Sequence, residues 1–178
     1  MSRGVYGVFI TVLLALPALA TDRITVEQIE EVISVTDAAA KARDTPGIEK
    51  YLGKHFEKKI DMRYGKWMAS IKVRRDQYLA MIDEGWESID EYNYQRENTV
   101  IYIATDGLSG ESYSTITETV VSNDKKMTSR FREYARYALE NGMPVITHIS
   151  GHTLVGDTTP TAEQLSRLPA RKPGSDPD

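Results

Sequence analysis

Three polar dipeptides interrupt the C-terminal half of the chain, and they constrain its fold more than any other feature. Asp106-Gly107, Asn123-Asp124 and Asn141-Gly142 each follow a long segment in which apolar and polar residues alternate. Asp-Gly and Asn-Gly are typical of tight hairpins, because both central residues of such turns take positive φ. Long strands joined by tight turns predict a four-stranded antiparallel meander.

Two of these turns also predict which side chains share a face. If Asn141-Gly142 is a two-residue loop, Glu140 pairs with Met143, and residues on alternate positions lie on one side of the sheet. If Asn123-Asp124 is a two-residue loop as well, apolar residues of the preceding strand join that side. The face predicted to be the interior therefore holds Ser114, Ile116, Val120, Met127, Phe131, Glu133, Ala135, Tyr137, Leu139, Pro144, Ile146, His148, Ser150 and His152.

Helical patterns occupy the first half of the chain. Thr25 and Gln28 form a capping box before a stretch of helical apolar spacing. Thr45-Pro46 suits the start of a second helix that carries Ile48, Leu52 and Phe56 on one face. Residues 58–73 alternate weakly, which predicts one or two short strands, and residues 75–85 predict a third helix. The fold class is then α+β, with three N-terminal helices covering one face of an antiparallel sheet.

Both ends of the chain are expected to lie outside the folded domain. Residues 1–20 combine Arg3, a short apolar segment, Pro17 and small residues up to Ala20, a pattern typical of a cleaved signal peptide. The apolar segment is shorter than the ~20 residues that span a bilayer, so we expect no membrane span after cleavage. Residues 158–178 contain four prolines and predict a disordered tail. The domain is then residues 21–157 of a periplasmic or secreted protein.

Composition excludes several kinds of site. The chain has no cysteine, so it has neither disulfides nor thiolate metal sites nor a cysteine nucleophile. Removing the predicted leader removes one basic residue and no acid, which changes the net charge from −4 to −5. This mild acidity argues against nucleic acid as a partner.

His148 and Glu133 are the candidate catalytic pair. They lie diagonally on the predicted inner face, at ~7–8 Å between backbones, within reach of a hydrogen bond between imidazole and carboxylate. Such pairs serve acid–base catalysis because each group tunes the protonation of the other, and we expect Glu133 to raise the pKa of His148. A histidine bonded to Glu133 that serves only packing explains the same pattern.

Ligand contacts are predicted for other side chains that face the same interior. They are Asp37, from the edge of the first helix, with Ser114, Ile116, Phe131, Tyr137 and His152. No metal site is predicted, because His148 and His152 are roughly 13 Å apart at ~3.3 Å per strand residue. His55 is placed at the edge of the second helix.

The order of these elements resembles the nuclear transport factor 2-like superfamily. Helices beginning at Val26, Pro46 and Arg75 precede a meander that ends in YALENGMPVITHIS, similar to the terminal hairpin of that group. The resemblance covers residues 24–155, and it implies a curved sheet wrapped around the long helix as a cone-shaped barrel with a pocket. It also implies homodimers through the outer sheet face.

The sequence leaves three functions open. The first is a binding module for a small, largely apolar ligand, or an association domain, without catalysis and without a cofactor. The second is an acid–base enzyme (a dehydratase, isomerase or cyclase) that uses His148 and Glu133. The third is a structural dimerisation domain whose interior is filled by its own side chains. A cavity of ~300 Å³ or more with convergent polar groups favours the first two.

Overall fold

The computed structural model describes residues 22–64 and 67–154 of the 178-residue chain. The predicted signal peptide and the predicted C-terminal tail lie outside the described residues. The elements follow in the order α1 (Val26–Ala42), α2 (Thr45–Glu49), β1 (Leu52–Tyr64), β2 (Trp67–Arg74), α3 (Arg75–Glu87), β3 (Glu91–Ile103), β4 (Ser109–Ser122), β5 (Lys125–Glu140) and β6 (Met143–Leu154). The α+β class is confirmed, but α3 follows the β1–β2 hairpin and does not precede the whole sheet. No helix within the described ranges is long and apolar enough to cross a membrane.

All six strands of the described chain form one curved sheet in the order β2-β1-β6-β5-β4-β3. The predicted meander from β3 to β6 is confirmed, and every pair in it is antiparallel. The β1 strand pairs with β2 in an antiparallel hairpin and with β6 in parallel. Because β2 and β3 are edges that do not pair with each other among the described residues, the sheet is open and the predicted barrel does not close.

The two predicted two-residue turns form as expected. Asn123 and Asp124 have φ of 50° and 59°, and Asn141 and Gly142 have φ of 53° and 75°. These positive values match the turn type whose twist suits a β-hairpin. The β4–β5 register is the predicted one from Ser122↔Lys125 to Ser109↔Ala138, including Ile116↔Phe131.

The β5–β6 register agrees with the prediction only near the turn. Glu140↔Met143 through Tyr137↔Ile146 pair as predicted, but the next pair is Arg136↔His148. Thr147 is therefore an extra residue, a β-bulge that shifts all later pairs by one position. Since a one-residue shift exchanges the two faces of a strand, everything beyond Thr147 lies on the face opposite to the predicted one.

Three predicted inward residues are corrected by this bulge. His148, Ser150 and His152 pair with Arg136, Tyr134 and Arg132, the outward residues of β5. Ile149 and Gly151 are buried instead, and Glu133 pairs with Gly151 and not with Ser150, its partner if the register set by the Asn141-Gly142 turn continued. The inner face of β5 is as predicted, since Glu133, Ala135 and Tyr137 are buried.

The helices begin largely where the sequence predicts. Thr25 and Gln28 close the capping box of α1, with Oγ1 of Thr25 accepting from the Gln28 amide at 3.3 Å. The second helix is capped by Asp44 and ends at Glu49, so Leu52 and Phe56 lie on β1. A four-residue spacing places two side chains on one face of a helix and also on one face of a strand, which explains the error.

Because the second helix ends at Glu49, His55 does not lie on a helix as predicted. It is an exposed residue of β1. Leu52 and Phe56 are nevertheless buried, as their apolar spacing predicts. The third helix is confirmed, with Tyr78 buried and with Leu79 and Ile82 packed against the core.

The long helix α1 lies on the inner face of the sheet and contributes Ile29, Val32, Ile33 and Ala39 to the core. Its approach is close at Gly110, where a Cβ atom would collide with Cδ1 of Ile29. The curved sheet, α1 and α3 thus enclose the space in which the candidate site lies.

Candidate functional site

A cavity of ≈ 360 Å³ lies between the helices and the inner face of the sheet. Its walls are mostly apolar and aromatic, with Trp86 from α3 and Phe131 from β5 among them. Five charged side chains also line it: Asp37, Lys58, Arg96, Glu118 and Glu133. An apolar cavity with a few convergent polar groups is the usual form of a small-molecule site.

Arg96 is the centre of the polar groups. Its guanidinium donates to both carboxylate oxygens of Asp37, with Nε to Oδ2 at 2.9 Å and Nη2 to Oδ1 at 3.0 Å. It donates from Nη1 to Oε1 of Glu133 at 2.8 Å and from Nη2 to the hydroxyl of Tyr94 at 2.6 Å. The three charged side chains are only 9–17% exposed, so this is a buried ion-pair network.

Three separate elements bring the network together. Asp37 comes from α1, Arg96 from β3 and Glu133 from β5. Burial lowers the pKa of Arg96, but Glu133 and the hydrogen bond to Asp37 outweigh burial and raise it. The guanidinium therefore stays charged, and four of its five N–H groups donate to Asp37, Glu133 and Tyr94.

Lys58, from β1, is the second cation of the cavity. Its ammonium nitrogen lies 4.8 Å from the centroid of the Tyr78 ring, a cation–π contact. No carboxylate oxygen of the described residues comes within the 4.0 Å of an ion pair. Burial lowers the pKa of Lys58, but Tyr78, Glu133 and Glu118 together raise it, so the group is a charged donor.

Glu118, from β4, is the third carboxylate. The Tyr92 hydroxyl donates to its Oε1 at 3.0 Å. No basic side chain within the described residues forms an ion pair with it. Glu118 thus differs from Asp37 and Glu133, both of which are held by Arg96.

Tyr92, Tyr94 and Tyr137 of the cavity remain neutral. Burial is the main cause that raises the pKa of Tyr92 and Tyr94, and the carboxylates Glu118 and Glu133 act in the same direction. Burial raises the pKa of Tyr137 to about 12. These hydroxyls can therefore donate and accept hydrogen bonds without adding charge to the cavity.

The structure brings four of the predicted site residues to this cavity, namely Asp37, Phe131, Glu133 and Tyr137. Ser114 and Ile116 are buried but do not line it, and the hydroxyl of Ser114 lies 3.0 Å from that of Thr99. His152 is exposed on the outer face, and His148 lies on that face too.

His148 does not pair with Glu133. Its Nδ1 lies 3.9 Å from Oε1 of Glu57, and its ring is 6.2 Å from that of Tyr134. Burial lowers the pKa of His148 below its ordinary value, and the opposite influence of Glu57 is smaller. The expected raised pKa is therefore wrong in direction. His152 contacts Oδ2 of Asp61 at 3.4 Å in the same manner, four residues further along β1 and β6.

Lys58, Arg96 and Glu118 are the charged cavity residues that the sequence interpretation missed. Signals for two of them are present, because Glu118 lies between Ile116 and Val120 in the strand alternation, and Arg96 alternates with two tyrosines on β3. Glu118 is two residues from the buried Ile116, and Arg96 is two residues from the buried Tyr94, so each points to the same side of the sheet as its neighbour. Their charge is what made an inward orientation unexpected.

Within the described parts of the chain, no three His, Asp or Glu side chains are arranged to hold a metal ion. The two histidine–carboxylate pairs of β1 and β6 are each isolated from a third ligand.

Comparisons with known proteins identify the fold. No family model matches the chain, and no curated protein matches its sequence. A nuclear transport factor 2-like protein of unknown function from Pseudomonas putida KT2440 superimposes with a TM-score of 0.57 at 14% identity, over 71% of this chain and 84% of that one. One from Cytophaga hutchinsonii gives 0.57 at 14% identity, over 74% of this chain and 100% of that one. A Novosphingobium aromaticivorans protein provisionally named a scytalone dehydratase gives 0.57 at 10% identity, over 76% and 89%. At these identities the likeness concerns the fold.

Proposed function

We propose, from the nuclear transport factor 2-like fold that this chain has, that it is a binding domain for a small, largely apolar molecule held in the cavity under α1 and α3. The observation that carries the proposal is the cavity itself, ≈ 360 Å³ in volume, with aromatic walls and polar groups that converge on it. A domain whose interior served only packing would fill this space with its own side chains.

The geometry gives no support to the pair on which the enzymatic alternative depends. His148 and Glu133 lie on opposite faces of the sheet, so the imidazole cannot orient or receive a proton from that carboxylate. Glu133 and Asp37 are both ion-paired with Arg96, so each already accepts hydrogen bonds from its guanidinium. A binding role needs none of these groups to transfer a proton.

Gly85 offers a direct test of binding in the cavity. It lines the cavity from α3, and a Cβ atom added there meets nothing within 4 Å. Gly85→Trp should therefore place its indole ring in this space, whereas Gly85→Ala should leave the space open. The alanine variant should also stabilise the fold by about 1 kcal/mol, because glycine is a poor helix residue.

The measurement is the fluorescence of N-phenyl-1-naphthylamine, an uncharged apolar dye. Wild type and Gly85→Ala should bind it with similar affinity, and Gly85→Trp should bind it at least about tenfold more weakly because the ligand loses its buried surface. Ala40→Leu, from α1, is a second way to fill the cavity. Equal binding by all four proteins, or no binding by wild type, would contradict the proposal.

Export and dimerisation complete the proposal. The leader pattern of residues 1–20 supports export to the periplasm or the medium, and N-terminal sequencing of the protein from its own host should find Thr21 as the first residue. An intact Met1 would contradict export.

A homodimer through the outer face of the sheet is supported by a row of aromatic rings there. Tyr102, Tyr113, Tyr134 and His148 follow one another across four strands with centroids 5.0–6.2 Å apart, and Tyr102 is 60% exposed. Sedimentation equilibrium should give twice the mass of the chain for wild type. It should give a single chain for Tyr102→Glu, which puts an unpaired charge into that face.

A further inference from the structure

The five charged side chains of the cavity do not balance. Asp37, Glu118 and Glu133 carry three negative charges when ionised, and Lys58 and Arg96 carry two positive ones. Tyr92 and Tyr94 add none, because burial and the neighbouring carboxylates raise their pKa. The cavity therefore has a net charge of −1 in surroundings where charge is poorly screened.

Two of these five groups have no ion-pair partner among the described residues. Asp37 and Glu133 are each ion-paired with Arg96, whose guanidinium also donates to Tyr94. Lys58 has no carboxylate oxygen within ion-pair distance, and Glu118 accepts one side-chain hydrogen bond among the described residues, from the Tyr92 hydroxyl. The cavity thus presents one strong donor and one strong acceptor.

Lys58 and Glu118 disfavour both a cationic and an anionic ligand. An anion beside Lys58 would increase the negative charge of a cavity that already holds three carboxylates. A cation beside Glu118 would offset this negative charge, but it would have to lose its hydration and share the cavity with the ammonium of Lys58. An uncharged ligand meets neither repulsion and can still satisfy both groups.

Resting on the proposed binding function, we propose that the ligand is an uncharged molecule with an apolar or aromatic body, which offers a hydrogen-bond acceptor to Lys58 and a donor to Glu118. Carbonyl, ether and hydroxyl oxygens are acceptors of the first kind, and hydroxyl and amide N–H groups are donors of the second. Trp86, Phe131 and Tyr78 provide the surfaces that receive the body of the molecule.

Three probes of one shape test this inference. They are 2-naphthol, 2-naphthoate and 2-naphthylmethylammonium, with affinities measured by calorimetry at neutral pH. Wild type should bind the naphthol about tenfold more tightly than either ion, since each ion must lose its hydration to enter the cavity and also meets a like charge there.

Two variants should change this ranking in opposite directions. Lys58→Met removes the positive charge and keeps the length of the side chain, so the ammonium probe should bind about tenfold more tightly than to wild type. Glu118→Gln removes a negative charge, so the naphthoate should gain by a similar factor. The matched controls, Lys126→Met and Glu97→Gln, change the same residue types at exposed positions and should leave all three affinities unchanged.

The outcomes separate this inference from the proposed function. If wild type binds no probe, prefers an ion, or keeps its ranking in both variants, the ligand class is wrong. The proposed function stands in that case as long as N-phenyl-1-naphthylamine binds wild type and is excluded by Gly85→Trp. Opposite shifts in the two variants, with unchanged controls, support the donor–acceptor ligand.

Discussion

The β4–β5 and β5–β6 hairpins share a strand and the same kind of two-residue turn, yet only one of them keeps its register. Fourteen pairs follow without interruption from Asn123-Asp124, whereas four pairs follow Asn141-Gly142 before the bulge at Thr147. The turn therefore sets the pairing beside it, and residues further along the strand can reset it. This difference decides that Glu133 is inside and His148 is outside.

The largest effect is expected from deleting single residues in the strands of these two hairpins. Deleting Thr117 from the middle of β4 would shift half of that strand by one residue against both β3 and β5, and would turn its buried side chains outward. We expect this variant to lose its cooperative thermal transition.

Deleting Thr147 should be tolerated, because Ile146 and His148 would then follow one another in the register they already have. We expect a loss of about 1–3 kcal/mol, from the altered bend of the strand. Circular dichroism during thermal unfolding compares the two deletions. Similar damage from both would show that Thr147 is not a surplus residue.

Ion pairs on the inner face of the sheet should contribute more to stability than those on the outer face. Arg96→Met removes the partner of two buried carboxylates, and we expect it to cost about 3–5 kcal/mol of unfolding free energy. Arg136→Met makes the same change on the outer face, where the side chain is 61% exposed and solvent screens its attraction to Glu111. We expect a change within about 0.5 kcal/mol there.

Urea denaturation of both variants measures this difference. Equal losses would mean that the Arg96 network is as well solvated as the surface pair, and would contradict its burial.

The smallest effect concerns the protonation of His148. Burial lowers its pKa in the folded state and Glu57 partly opposes this, so Glu57→Gln should lower the pKa further, while Glu133→Gln should leave it unchanged. NMR titration of the three histidines measures both. A response to Glu133→Gln alone would place His148 on the inner face.

The sign of the effect on stability follows from the same shift. Because the folded-state pKa is lowered, the unfolded chain binds the proton more readily, and stability is fully present above the unfolded pKa of ~6.5. It is lost as the pH falls through the folded pKa. Replacing His148 with Phe should remove this part of the acid sensitivity.

Much of the fold could be predicted because its signals are local. The capping box of α1, the positive-φ turns and the alternation of β5 each depend on residues within a few positions of one another. The bulge could not be predicted in this way. The residues after Thr147, which are His148, Ile149 and Ser150, alternate between polar and apolar equally well in either register. Its position is selected by burying Ile149 and Gly151, which depends on the rest of the domain.

The candidate site shows the same limit. Asp37 and Glu133 were identified from their positions, but their partner Arg96 lies 59 and 37 residues away in sequence. Hydrophobic periodicity does not reveal which oppositely charged side chain pairs with a buried charge. Only the assembled sheet brings β3 and β5 to the same helix.

The position of β6 between β1 and β5 also affects how the domain can fold. β5 and β6 are joined by a short turn, but β1 meets β6 across about ninety residues of chain, a contact with a high entropic cost of loop closure. We expect the meander to form first and the β1–β2 hairpin to dock onto it last. Until β6 is in place, β1 and β5 each have an unpaired edge, so a chain shortened before Met143 should be prone to aggregation through these edges.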